Sequence, residues 1–219
     1  MKKLIILGTG GNCLDIYDAA LAINRQAGKT IYECLGLLDD NRALHGTELS
    51  GLKVLGGFAD AAKFPDAFFV NGIGSPTSFW RKADVLAGTG LPLGRFETII
   101  HPQASVSSLA TLGRGVAVLP GASIAAHAEI GNHVIILQGA IISHDCRIGD
   151  YGCVASGACL SGDVDVAPFC YIGANVSVRN GIKIGTRALV GIGSVVVKDV
   201  LENTVVAGNP ARYLRHTAA

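Results

Sequence analysis

The chain lacks charge imbalance, long apolar runs and paired cysteines, and each absence excludes a class of function. Its 18 Lys and Arg residues stand against 17 Asp and Glu, a formal charge of +1. Nothing in that balance supplies an electrostatic grip on nucleic acid or on an anionic membrane, so neither is expected as a partner. Mean hydropathy is high at +0.42, yet charged residues or glycines break every apolar run before the roughly 18 residues that a membrane span requires. The apolarity must be buried inside, and a small molecule is the expected partner. The opening "MKKLIILGTGGN" carries an apolar stretch only from Leu4 to Leu7, shorter than the roughly 7–15 residues of a secretion signal. The expected location is the cytoplasm. Six cysteines (Cys13, Cys34, Cys146, Cys153, Cys159, Cys170) contain no C-x-x-C pair. A chain of 219 residues buries enough core to need no disulfide, so free thiols and no metal site are expected.

What the sequence has instead is a period. Stepping by six from Val106 gives Leu112, Val118, Ile124, Ile130, Ile136, Ile142, Ile148, Val154, Leu160, Val166, Ile172, Val178, Ile184, Val190 and Val196. Val, Ile and Leu fill only 60 of the 219 positions, so an unbroken series in one phase is no accident of composition. Four residues further on in each hexad the side chain is again small or apolar, from Ala110 and Val116 to Ser194 and Val200. The positions between, two after the aliphatic residue, include Arg114, Asn132, Gln138, His144, Asp150, Asn180 and Lys198. A plain strand would bury all three positions, so the chain turns a corner inside each hexad. Glycines directly after the aliphatic residue, at Gly113, Gly131, Gly149, Gly173, Gly185 and Gly191, suit tight repeated turns that a side chain would obstruct. Hexapeptide periods signal a parallel β-helix whose repeats stack to bury one continuous core. The fewest sides that close a prism is three, giving an eighteen-residue coil.

Residues 1–100 follow a different pattern. "KKLIILG" reads as a strand, Asn12–Arg25 as an amphipathic helix with Asn12 as a candidate N-cap, and "IYECLGLLDDN" as a second strand. Further strands are expected at Phe68–Ile73 and Phe96–Ile100, with a helix over Thr77–Ala87. "GTGGNC" after the first strand offers backbone N–H groups to a phosphate, but Cys13 stands where a dinucleotide fold has its third glycine. The expected fold class is therefore α/β plus β: a small Rossmann-like domain over 1–100, a parallel β-helix over 101–201 and a closing segment over 202–219.

In this setting "SHDCRIG" around His144 and the ending "VVAGNPARYLR" resemble the hexapeptide-repeat acyltransferases, whose β-helix is left-handed against the usual crossover rule. With the amino-terminal unit included, nearly the whole chain resembles the sugar acetyltransferases grouped with the sialic acid O-acetyltransferases and the bacillosamine-type nucleotide-sugar N-acetyltransferases. The resemblance implies an acetyl-CoA-dependent enzyme that acts on a nucleotide-linked amino sugar in glycan synthesis and works as a homotrimer. It makes His144 the general base, Asp145 its partner and the Gly162 amide the group that polarises the thioester. It places coenzyme A near Gly162, Gly191, Gly193 and the closing residues Ala207, Gly208, Pro210 and Arg212. It places the sugar nucleotide at Gly8, Gly10, Gly11, Asn12, Asp39, Asp40 and Gly74, and Gln138, next to Leu137, is a further candidate substrate contact.

The residues support that chemistry on their own terms. Acetyl transfer needs one base to take the acceptor's proton as it attacks the thioester, and imidazole titrates near neutrality. His144 projects from the coil, and of six histidines it alone precedes an acid. Eighteen residues on, Gly162 should lie one strand spacing, roughly 4.8 Å, away. A bare backbone N–H there can stabilise an oxyanion. No Ser-His-Asp or Cys-His arrangement calls for an acyl-enzyme. Cys153, which stands where the bacillosamine-type enzyme has a second histidine, is expected to be inert. His101, His127, His133 and His216 are read as solvent-facing. Asn12 stands where the family often has histidine after the glycines, and Leu137 where many of its amino-sugar enzymes have asparagine. The second departure keeps O-acetylation of a sugar as an alternative. A metal hydratase of the γ-carbonic-anhydrase type fits poorly, since His127, His133 and His144 are spaced by six and eleven residues. A noncatalytic sugar-nucleotide-binding scaffold is the remaining competitor.

Overall fold

The structure is a computed structural model, and it describes residues 1–217. The amino-terminal unit is a five-stranded sheet of β1 (Lys2–Leu7), β2 (Tyr32–Leu38), β3 (Glu48–Leu49), β4 (Leu52–Gly56) and β5 (Ala67–Asn71), in the order β3-β4-β2-β1-β5. All pairs are parallel except the short β3–β4 hairpin. Central β1 is buried on both faces from Leu4 to Leu7, as a near-continuous apolar run in a parallel sheet must be. The helix α1 (Gly11–Ala27) begins one residue before the expected start and is capped by Gly10, with no side-chain cap bond from Asn12. The expected helix after Thr77 is shorter, a 3₁₀ turn at Phe79–Arg81 followed by α2 (Lys82–Gly88).

From Ile99 the chain coils. Two-residue strands repeat every six positions and pair in parallel with the strand eighteen residues on, for example Ile124 with Ile142 and Ile142 with Leu160. Three faces result, and the prism is the left-handed β-helix of the hexad period. The first face runs from Ile99–Ile100 through Tyr171–Ile172 to the closing hairpin Thr204–Gly208 and Ala211–His216. The second runs from Ser105–Val106 to Val195–Val196, and the third from Thr111–Leu112 to Lys183–Ile184. The expected strand at Phe96–Ile100 is thus split. Phe96 bridges β5 at Phe69, whereas Ile99–Ile100 pairs with Ala117–Val118 as a rung of the coil.

The sixteen aliphatic residues all belong to or pack against one core cluster, together with the small residues four positions on. The glycines after the aliphatic residues answer to sterics: a Cβ at Gly131 would stand 2.7 Å from the Asp150 backbone nitrogen in the next coil. The left-handed backbone of each corner falls two residues later, at positions such as His133, Asp145 and Tyr151. The amino-terminal unit sits on the first face, where Ala117, Leu119, Ile135, Leu137, Cys153 and Ala155 join the β1–α1 core.

Two of the histidines read as solvent-facing are buried. His101 is 7% exposed and accepts a hydrogen bond at Nδ1 from the Gln103 amide at 3.0 Å. His133 is 4% exposed, packs edge-on under Phe96 and stacks on Tyr151, which stacks in turn on Phe169. Burial, then the Lys82 charge, pushes its imidazole down to about 4. The ladder follows from the coil period, since 133, 151 and 169 are one corner column. Its cover, Phe96, comes from outside the repeats.

Candidate active site

His144 and Asp145 occupy the corner between the second and third faces. Side chains of neighbours on a strand point apart, but Asp145 has φ +60°, and this left-handed turn swings its carboxylate back to the imidazole. His144 Nδ1 lies 2.7 Å from Asp145 Oδ2. A carboxylate only accepts, so Nδ1 donates to it, and in the neutral ring Nε2 is then the atom that carries the lone pair. The pair is exposed, with 63% and 50% of the two side chains open. In the next coil Gly162 lies beneath the ring: a Cβ there would stand 2.6 Å from Cε1 and 2.7 Å from Nε2 of His144. Asp163 N–H donates to the His144 carbonyl at 3.1 Å, which locks the register of the two coils. No side chain of ordinary size fits between imidazole and backbone at that step.

A second feature is a cleft of about 410 Å³ between the amino-terminal unit and the coil. Gly8, Gly10, Gly11, Asn12, Asp39 and Gly74 all line it, with Thr9, Ser75, Ser78, Leu137 and Tyr171. One wall is the start of α1, whose first turn holds no acid. The first amides of a helix have no partner within it and its dipole favours an anion there. Gly8 has φ +106°, so the turn into the helix requires glycine. Cys13 is accommodated by the absence of a side chain at Gly72, where a Cβ would collide with its sulfur. Asn12 Nδ2 donates to the Gly74 carbonyl at 3.3 Å, and Thr9 donates to Asp39 at 2.7 Å. The structure does not bring Asp40 to this cleft. Its carboxylate accepts from the Phe58 amide at 2.9 Å. Gln138 likewise stays outside, accepting from the Ser156 hydroxyl at 3.1 Å.

Gly191, Ala207 and Gly208 meet at the far end of the prism, where the closing hairpin pairs with the coil. Gly191 N–H donates to Val206, and Ser194 Oγ joins the Gly191 carbonyl to the Gly208 amide at 2.6 and 3.1 Å. Gly193, with φ +66°, is exposed on the corner between the first and second faces. Arg212 lines a separate cavity of about 310 Å³ at the prism end with Lys198 and Tyr213, and Pro210 lies in the hairpin turn.

Cys153 is buried beneath the cleft wall, its sulfur 3.9 Å from the Gly74 carbonyl. Burial pushes its thiol up to about 11, although the Lys82 charge acts against it. A thiol so placed is protonated at neutral pH and is no nucleophile. Among the described residues no three His, Cys, Asp or Glu side chains gather as a metal site. His133 stands on a different corner from His127 and His144, which lie on adjacent coils of one corner. Sequence reasoning missed Tyr171 and the hydroxyl group of Ser75 and Ser78. Tyr171 is outward on its strand, a position the hexad pattern leaves open.

Residues 3–83 match the family model described as the PglD N-terminal domain. The acetyltransferase domain of PglB from Neisseria gonorrhoeae is 27% identical with a TM-score of 0.84, covering 98% of this chain and 100% of that one. It has also been solved with acetyl coenzyme A. PerB from Caulobacter crescentus, solved with CoA and GDP-perosamine, is 27% identical with a TM-score of 0.82, covering 98% of each chain. Among curated sequences, galactoside O-acetyltransferase of Escherichia coli is 42% identical over 45 residues, 20% of this chain and 22% of that protein. The chain thus matches less than a quarter of that relative's length. In coil and in sequence the chain is thus similar to hexapeptide-repeat acetyltransferases. Within that class, its full-length likeness is to the sugar N-acetyltransferases of the bacillosamine and perosamine type.

Proposed function

We propose that the protein transfers the acetyl group of acetyl-CoA to the amine of a nucleotide-linked amino sugar, directly and without an acyl-enzyme. The observation that carries the reading is the His144–Asp145 pair stacked on the Gly162 backbone. Asp145 holds the imidazole through Nδ1, which leaves Nε2 for the acceptor. Nε2 takes a proton from the acceptor as the nitrogen attacks the thioester carbon, and the Gly162 N–H meets the charge that grows on the thioester oxygen. The tetrahedral intermediate then expels coenzyme A as a thiolate, which takes up a proton as it leaves. The helix start at Gly10–Gly11 holds the pyrophosphate, and Asp39 faces the base.

One chain does not bring the two halves together. The cleft opens beside Leu137, at the corner of the first and second faces, whereas His144 stands at the corner of the second and third. The amino-terminal unit covers the first face, and the third presents the alternating charges Glu129, Arg147, Asp165 and Lys183. The second face presents Ser105, Ser123, Ile141, Cys159, Ser177 and Val195, without a charge, and Ile141 is 45% exposed. That face is the one suited to bury against another copy. In a threefold assembly it would set the His144 corner of one protomer against the cleft corner of the next, with coenzyme A running along the glycine corner at Gly193.

The test is a panel of UDP-, GDP-, CMP- and dTDP-linked amino sugars with acetyl-CoA, read by thiol release. Turnover of one amino sugar supports the reading, and thiol release with none of them contradicts it. Leu137 in the cleft favours one competitor, O-acetylation, and neutral sugars in the same panel expose it.

A further inference from the structure

On the coil side the cleft is bounded by two side chains, Leu137 and Tyr171. Tyr171 is the outward residue of the strand Tyr171–Ile172, whose partner Ile172 is fully buried in the prism. Its ring is braced by Phe79, with centroids 5.9 Å apart, and by Cys153 in register on the preceding rung. The other polar side chains of the cleft already have protein partners. Thr9 donates to Asp39, Asp39 also accepts from the Asn41 amide, Asn12 donates to Gly74, and Ser75 and Ser78 bond each other at 2.7 Å. The Tyr171 phenol has no such partner among the described residues, though it stands in the same cleft. The fold thus braces this phenol at the cleft without tying it to another protein group, which leaves it free to bond a ligand held there.

We infer that Tyr171 is a specificity residue whose phenol O–H donates a hydrogen bond to the sugar ring of the acceptor, and not to its nucleotide. The inference rests on the function proposed above. The pyrophosphate belongs at the helix start, on the amino-terminal side. The amine must reach the acetyl group held at a coil corner, so the sugar extends from the pyrophosphate toward the coil. Tyr171 rises there. Burial, with Cys153 adding to it, pushes the phenol up to about 12, which keeps it a neutral donor across the physiological range.

The experiment is calorimetric titration of wild-type and Tyr171→Phe protein with the best amino-sugar substrate of the panel and, separately, with its parent nucleotide. Phenylalanine keeps the ring against Phe79, so folding is undisturbed. The expected result is binding of the nucleotide-linked sugar weakened about tenfold, the loss of one hydrogen bond, with the parent nucleotide unchanged. The KM for acetyl-CoA should also stay as it was. Equal weakening for both ligands would assign the phenol to the phosphates and overturn the inference, as would no weakening for either. Wild-type protein that binds the nucleotides but none of the nucleotide-linked sugars would overturn the functional reading itself.

Discussion

Replacing Gly162 by alanine adds one methyl group at the point where two coils carry the proposed chemistry. The backbone there is not left-handed, so alanine brings no conformational strain of its own. The whole effect is steric. The new Cβ would stand 2.6–2.7 Å from two ring atoms of His144, closer than carbon tolerates, and the imidazole has to move. It can, because 63% of the side chain is open to solvent. Stability should therefore change by less than about 1 kcal/mol. Catalysis should not survive so well. A general base contributes about 10²–10⁴-fold, and a ring swung off its Asp145 partner loses most of that. We expect kcat to fall by at least about 100-fold with Tm nearly unchanged. Thiol release under saturating substrates, with a thermal melt on the same samples, reads both quantities. A folded Gly162→Ala protein with wild-type kcat would refute the stacking of base on backbone as the source of activity.

Other consequences follow from the buried groups. Ile142 is fully buried in the prism core, so Ile142→Asp should prevent folding by stranding a charge at a cost of several kcal/mol; a soluble folded variant would contradict the packing. Lys82 is fully buried, its Nζ 3.3–3.4 Å from the carbonyls of Gly152 and His133, and burial pulls its amine from 10.5 down to about 8. Between those values the unfolded chain holds the proton more often than the folded one, so stability should rise as pH climbs from about 8 to about 10.5, by about 3 kcal/mol in all. Chemical denaturation of Lys82→Met should lack that slope. Cys153→Ala should keep turnover within about threefold, because a protonated buried thiol does no chemistry; loss of activity with the fold intact would point to a thiol-centred mechanism.

The prism was legible because its cause is periodic: the aliphatic residue at every sixth position faces one core, and any reader of spacing recovers the inward side. The same spacing puts Gly162 beside His144, since parallel coils place residues eighteen apart in register. What the period does not carry is the outward side. Tyr171 and Cys153 belong to the repeat, but their surroundings are made by Phe79, Gly74 and Lys82 from the amino-terminal unit. His133 was misread for that reason, as a residue on an exposed corner that Phe96 turns out to cover. Asp39 and Asp40 look equivalent as a pair. Strand end and turn separate them, one entering the cleft and the other capping the turn at Phe58.

The most direct test of the account is the pH dependence of turnover in wild-type and His144→Asn protein on one and the same amino-sugar substrate. Asparagine keeps the size and polarity of the site and has no proton to exchange near neutrality. The account predicts that the wild-type rate rises with pH through an ionisation that disappears in the variant, with kcat lower by about 10²–10⁴-fold and the Kd for acetyl-CoA unchanged. The comparison on one substrate removes the contribution of the acceptor's own ammonium group, which titrates alike in both. A His144→Asn enzyme that retains the wild-type kcat and the same rising limb would contradict the assignment of His144 as the base.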